Sequence, residues 1–399
     1  MARVTFPDHR TFLRPCLRFA ARGAVVGLLA LNVTACAETT LGQAAAPVDS
    51  DYQARLARYE QAHRAYETQA DAYWDTITEK RKLRHEKRRN GQQVTLADYV
   101  LAQPPVYSGP PRPKNPFAPL SPPKERREIP VVSDFLQAAR EEYGFVPDRP
   151  RDEFEFKRAY AAAAQAAGLD KQQVVGIYAF ETGGHGEYDT QAGLLFDRPG
   201  ARAISPALGY NQLLSTLTIS LLAEHGNQIL AVLREKAGQL SGEQRRHMTH
   251  KIVALRRMIA VARSVPHRWS AYEQLAKHTA KGMGMHAVLL DVDIGPLLQV
   301  QNLANSLRFA RAKGYTGRMS AAELELMNLA GAGNGIDMVM MPGWMRDRVP
   351  TANFFVRAGY WRNPVVHRAK VVSGLIAEIQ EHIARAEQNE GARALASAF

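Results

Sequence analysis

The chain has almost no cysteine. Cys16 and Cys36 are the only two in 399 residues, and both lie near the start. That excludes a disulfide framework and a cysteine-built metal site, so the body of the protein is held together by core packing. Alternating apolar strand patterns are scarce. No Gly-x-Ser-x-Gly elbow, phosphate loop or dinucleotide fingerprint occurs, and no His-Glu-x-x-His pair is present to bind a metal on one helix. No repeat is evident. Acidic residues are outnumbered: 39 Asp and Glu face 51 Lys and Arg, for a net charge of +12. A chain this basic attracts polyanions such as nucleic acid, anionic lipid or an acidic wall polymer. What is present is an ordinary apolar share, 46%, and enough length for one large domain or two modest ones.

Residues 1–36 read as a targeting segment. Arg3, Arg10, Arg14, Arg18 and Arg22 form a basic leader, and Ala24 to Leu31 form an apolar core. That core is shorter than the roughly 20 residues needed to span a bilayer. Val33-Thr34-Ala35-Cys36 follows and resembles a bacterial lipobox, in which the cysteine is lipidated and becomes the new N-terminus. Ordinary signal cleavage after Ala37 is the competing reading. Both imply export, and export argues against a nucleic-acid partner. The expected placement is the periplasm, with a lipid on Cys36 anchoring the chain to the outer membrane.

Residues 37–99 read as a tether and a helical arm. Leu56, Tyr59, His63, Tyr66, Ala70, Tyr73 and Ile77 recur at threes and fours, one sustained helical stripe. Its end is cationic, from Lys80 through Arg81, Arg84 and Arg88 to Arg89. That run is either a solvated helix end, favoured there by the macrodipole, or a patch for anionic polymer or lipid. Residues 100–130 read as a linker. Pro104, Pro105, Pro110, Pro111, Pro113, Pro116, Pro119, Pro122 and Pro123 favour extended polyproline geometry, as a semi-rigid spacer or a strap along the surface. Residues 131–390 form the main domain. Helices are expected over 132–143, 152–168, 171–181, 206–225, 227–239, 242–263, 268–280, 296–313, 320–330 and 366–389, with a flexible loop at 282–286. The fold class is mainly α, a helical core around a groove.

Within that domain Glu181 stands out. Val174-Val175-Gly176-Ile177-Tyr178-Ala179-Phe180 delivers it to Thr182-Gly183-Gly184. Asp170 is placed to cap the helix start, and the glycines permit the left-handed backbone that ends helices. A carboxylate among Tyr178 and Phe180, at the negative end of a helix, has its charged form disfavoured. A carboxyl still protonated near neutral pH suits a general acid. The loop beyond it holds His185, Glu187, Asp189 and Asp197. Their spacing fits no metal motif, but Asp189 or Asp197 would serve as the base of an inverting hydrolase if it lay about 6.5–9.5 Å from the acid.

A second stretch, Ala203-Ile204-Ser205-Pro206-Ala207-Leu208-Gly209-Tyr210-Asn211-Gln212, reads as a cap and a proline opening a helix. Tyr210, Leu214, Leu217 and Leu221 would line its buried face, and Gly226 would stop it. A third is Ala330-Gly331-Ala332-Gly333-Asn334 after Met327-Asn328-Leu329, and a fourth is Thr351-Ala352-Asn353-Phe354-Phe355. Together, in this order over roughly 131–370, these stretches resemble the lytic transglycosylases of the lysozyme-like superfamily. That family has Glu-Ser at a helix end, Gly-Ala-x-Gly-Leu-Met-Gln on the next helix, Ala-Tyr-Asn-Ala-Gly-Pro-Gly-Asn later, and a late Thr-x-Asn-Tyr-Val. Ala207, Gly209 and Gln212 match. Thr182 stands for the Ser, Pro206 for the first Gly, Tyr210-Asn211 for Leu-Met, Leu329 for an Asn, and Phe354 for the Tyr.

The resemblance implies a lysozyme-like fold and a glycan-strand partner, peptidoglycan. The implied reaction breaks the β-1,4 bond between N-acetylmuramic acid and N-acetylglucosamine to give a 1,6-anhydro product, with no cofactor and no metal. Glu181 would be acid and then base, with Thr182 orienting it. Gln212 and the backbone at Gly209, beside Tyr210, would position the sugar. Asn328 and Gly331 would lie on the groove wall, and Tyr360 would supply the hydroxyl missing at Phe354. The rival expectation, supported by Leu329 and Phe354, is a wall-binding scaffold without turnover. Trp269, Trp344 and Trp361 are candidates for stacking on sugars, although such residues more often belong to cores.

Overall fold

A computed structural model describes residues 50–116, 128–194 and 201–399. The leader with Cys36, part of the proline-rich segment and Asp197 lie outside the described residues. In chain order the helices are α1 (Ser50–Arg89), α2 (Val132–Tyr143), α3 (Glu153–Ala166), α4 (Lys171–Thr182), α5 (Ser215–Gln239), α6 (Gly242–Arg263), α7 (Trp269–His278) and α8 (Ala280–Met285). Then come α9 (Gly295–Ala312), α10 (Ala321–Ala330), α11 (Ala332–Val339), α12 (Gly343–Arg346), α13 (Arg357–Arg362), α14 (Pro364–Ala369), α15 (Val372–Ala386) and α16 (Glu390–Ser397). Among the described residues there are isolated β-bridges and no strands. The class is mainly α, as the sequence pattern requires.

The described residues divide into two compact units, one of residues 50–68 with 106–116, the other of 69–105 with 128–194 and 201–399. In the first, the aromatic stripe of α1 is covered by the proline-rich segment. The Tyr107 ring lies 5.5 Å from His63, 5.5 Å from Tyr66 and 6.0 Å from Tyr59. This stretch of the segment is therefore a strap.

In the second unit the end of α1 belongs to the core: Ala70, Trp74 and Ile77 are buried, and so is Tyr99 beyond it. The cationic run is not simply a solvated end. Arg84 is buried, donates to the carbonyls of Asp98 (3.0 Å) and Asn353 (2.9 Å), and stacks 4.4 Å over Tyr99. Arg88 pairs with Asp337 at 2.6 Å. Guanidinium groups suit such burial because their five donors satisfy several carbonyls at once.

The second unit has two apolar cores. One gathers α3, α4, α10, α11 and α15 around Tyr178, Leu324, Met338 and Ile379. The other gathers α2, α5, α6, α7 and α8 around Phe135, Leu222, Leu255 and Leu289. Helix α9 serves both, with Leu298 in the second and Leu303 in the first.

Several expected boundaries are corrected. Residues 206–214 are not helical, and α5 begins at Ser215 and runs through Gly226. Gly226 is a close-approach site: a Cβ there would lie 2.5 Å from Ile259 of α6. Ser205-Pro206 opens a turn because Tyr210 packs into α3 and α4, and Leu208 pairs with Leu213. The burial pattern that mimicked one helix face comes from several elements. Leu214 is exposed. Residues 282–286 are no flexible loop, since α8 runs to Met285 and His286 is fully buried. Thr279 separates α7 from α8 by capping the latter, its hydroxyl accepting from Gly282 N at 2.9 Å. The span 366–389 is broken where Lys370 takes φ 60 between α14 and α15.

Candidate active site

The helix carrying Glu181 is built as its sequence suggests. Asp170 accepts from Gln173 N at 3.0 Å, and Gln173 returns a bond to Asp170 N, a reciprocal cap. Gly183 and Gly184, at φ 63 and 73, end the helix. Their carbonyls are taken up by Asn389 Nδ2 at 2.8 Å and by Ala392 N at 3.1 Å. No side chain fits at Gly184, because a Cβ would sit 2.1 Å from the Ala386 carbonyl. The turn at the end of α4 is thus locked against the start of α16.

Glu181 is half-buried, with part of its surface open to solvent. Protein crowds its carboxyl on the remaining sides, and this burial pushes its pKa up to about 8. The direction matches the sequence argument. The cause is loss of water around the charged form.

The sequence reading passed over Glu325. It sits on α10 between Leu324 and Leu326, fully buried. Burial holds its pKa well above the usual carboxylate range, and the charge of Glu181 pushes it further up. Asn328 Nδ2 donates to Glu325 Oε2 at 3.3 Å, and Glu325 Oε1 is buried without a partner. The missed signal was a carboxylate at an apolar-periodic position of a helix.

Contacts along α4 and α10 set their register. Gln173 Nε2 donates to Met319 O at 2.8 Å. The Ala321 methyl lies 2.4 Å from where a Cβ on Gly176 would stand. The two helices therefore run side by side in the same direction. Glu181 is five residues beyond Gly176, and Glu325 four beyond Ala321. At about 1.5 Å per residue both carboxyls reach the same level. The structure thus brings together Glu181, Glu325 and Asn328.

The other expected residues are distributed as follows. Thr182 donates its hydroxyl to Tyr178 O at 2.7 Å, so that proton is not directed at Glu181. Tyr210 is fully buried, its ring 4.9 Å from Tyr178 and 5.2 Å from Tyr160, and its hydroxyl donates to Glu153. Tyr160 in turn is near enough to Glu181 for the carboxylate to raise the Tyr160 pKa, although burial raises it more. Gly209 is at φ 79 against the Gln299 side chain. Gln212, at φ 43, donates its amide to Thr190 O (3.0 Å) and Gly209 O (2.8 Å), closing its own turn. Gly331, at φ 78 and exposed, joins α10 to α11.

Asn334 donates to Ala330 O at 3.2 Å and to Phe354 O at 3.0 Å, tying the third motif to the fourth. Tyr360 is buried against Trp74, Trp361 and His367. Asp189 is half-buried. Burial raises its pKa against the opposing charge of Arg149, and Glu181 is not among the groups acting on it.

Among the described residues no group of three His, Cys, Asp or Glu side chains is placed to hold a metal ion. Two surface hollows lie at the opposite end of α4, around Asp170, Gln173 and Arg318, and neither is lined by Glu181. No family model, curated protein or solved structure matches this chain.

Proposed function

We propose that this chain cleaves the glycan strands of peptidoglycan by lytic transglycosylase chemistry, with Glu181 as the single acid and base. One observation carries the reading. Glu181 reaches solvent, yet its carboxyl holds its proton up to about pH 8. At neutral pH it is charged with the proton that a departing glycosidic oxygen needs. Once that proton has gone, the Glu181 carboxylate takes the proton of the muramyl 6-hydroxyl as that oxygen attacks the anomeric carbon, assisted by the substrate's own acetamido group. The bond to N-acetylglucosamine breaks and a 1,6-anhydro ring closes. No water is consumed. The bond from Asn334 to the Phe354 carbonyl supports the reading further, because it joins two of the four motif stretches in space. We place the enzyme in the periplasm, held to the outer membrane by lipid on Cys36.

One observation favours a second reading, a wall-binding module without turnover. Both donors of the Gln212 amide are occupied within its own turn and Tyr210 is sealed in the core, so neither presents a free group to a sugar. Digestion of purified sacculi with mass analysis of the products separates the two. Anhydro-muropeptides, lighter by one water than hydrolysis products and lost in Glu181→Gln, are the expected result. Reducing ends lost in the same variant would make this a Glu181 hydrolase. Retained sacculus binding with no cleavage would leave the wall-binding module.

A further inference from the structure

We propose that Glu325 is a positioning residue for Glu181: it keeps its own proton and offers it as a hydrogen bond to the Glu181 carboxylate once Glu181 has given its proton away. The proposal rests on the reading of Glu181 as acid and base.

Three observations lead there. The first is the register of α4 and α10, fixed by the Gln173–Met319 bond and the Gly176–Ala321 contact, which sets the two carboxyls at one level. The second is the surroundings of Glu325. It is fully buried, and an ionised carboxylate in such a place must be paired or give up its charge. The charged groups on the packed elements are engaged elsewhere, carry the wrong sign or, like Lys171 of α4, Arg311 of α9 and Arg385 of α15, stand exposed on the surface. Asp337 of α11 pairs with Arg88, Arg308 of α9 binds Asn305, Glu323 caps its own helix, and Glu378 of α15 holds Arg368. His382 of α15 faces Phe180. The group whose charge reaches Glu325 is Glu181, of like sign. Glu325 is accordingly a neutral acid.

The third observation fixes which oxygen bears the proton. Oε2 accepts from Asn328 Nδ2 at 3.3 Å, so it is the carbonyl-like oxygen. Oε1, buried and without a partner, is the hydroxyl. A buried donor left without an acceptor is costly. The donor gains an acceptor when Glu181 becomes anionic at the same level of the helix pair. The proton stays on Glu325 throughout. Only the hydrogen bond forms, and it stabilises the charge that Glu181 acquires in the first step, when a fixed donor is most effective.

The test reads protonation directly, by carbon-13 NMR titration of the glutamate carboxyls in the full protein. In the wild-type chain the Glu181 carboxyl should titrate near pH 8 while the Glu325 carboxyl keeps its protonated shift through that step. A Glu325 that ionises there overturns the proposal without any mutant. Glu325→Leu removes the donor and should raise the Glu181 pKa by about one to two pH units, the value of a hydrogen bond to a charged group. Glu325→Gln retains a donor and should leave it near the wild-type value. Glu325→Met is the fallback if the leucine variant does not fold. A Glu181 pKa that falls in the leucine or methionine variant, or does not move, sinks the idea. If the titrations behave as expected but no glycan is cleaved, Glu325 acts on Glu181 as proposed and the transglycosylase reading is what fails.

Discussion

If Glu181 is the acid and base proposed above, it ties activity to stability through one proton. Folded, it holds that proton to about pH 8, whereas an unfolded glutamate releases it near pH 4.3. Between those values the folded chain binds a proton that the unfolded chain does not. The stabilisation is complete below about pH 4.3 and declines as pH rises toward 8, by about 1.4 kcal/mol for each pH unit. Glu181→Gln removes this slope. Thermal melts of wild type and mutant should diverge as pH rises, the mutant melting higher at pH 8 than its parent; a mutant that gains nothing over that range contradicts the burial argument. Activity moves the other way. Glycan cleavage should drop about 10²–10⁴-fold in the mutant. In the wild type it should be flat below pH 8 and fall about tenfold for each pH unit above it.

At the scale of elements, the stretches singled out in the sequence were legible to different degrees. Helix α4 was readable because cap, apolar run and glycine stop all point one way, and local signals of that kind need no tertiary partner. The segment 206–214 was not, because Tyr210 packs among Phe156, Tyr160 and Tyr178 and sequence shows periodicity without saying who supplies the neighbours. Glu325 was overlooked for the same reason: its meaning lies in the register of α10 against α4. This relocates the expectation for Gln212. Its amide closes a turn, so Gln212→Ala should destabilise by about 1–3 kcal/mol through two lost bonds. Gln212→Gly should cost less, since glycine relieves the positive φ. Urea unfolding with an unchanged slope would report this as stability alone; equal midpoints for both variants would remove the backbone argument. Gly284 offers a second check. A Cβ there would stand 2.8 Å from the backbone of Ala138 and Ala139, so Gly284→Ala must push α8 from α2, at about 1–3 kcal/mol. An unshifted urea midpoint would show that the helices do not need that close approach.

For the whole molecule, the proposed function raises the question of what would hold a basic protein beside an anionic polymer mesh. Among the described residues no single helix is long and apolar enough to cross a membrane. The body beyond the leader, still net positive after the loss of Arg3, Arg10, Arg14, Arg18 and Arg22, offers electrostatic attraction, but each cation near an anionic surface contributes only about 1 kcal/mol, and salt screens it. An acyl chain contributes about 0.8 kcal/mol for each buried CH₂, and stable anchoring takes more than one such chain or a chain with basic help. The proposed lipid on Cys36 with a basic body would supply both. Cys36→Ser should therefore move the protein from the membrane fraction to the soluble periplasm, and a high-salt wash should release what remains on the membrane. The wild type should resist the same wash, because salt does not weaken apolar insertion. A serine variant that stays membrane-bound through the wash would exclude the lipid anchor, and cleavage after Ala37 with some other membrane contact would then be the better account. Since the substitution lies far in sequence from α4 and α10, sacculus digestion by the purified variant should match wild type, which separates the proposed anchoring from the proposed cleavage.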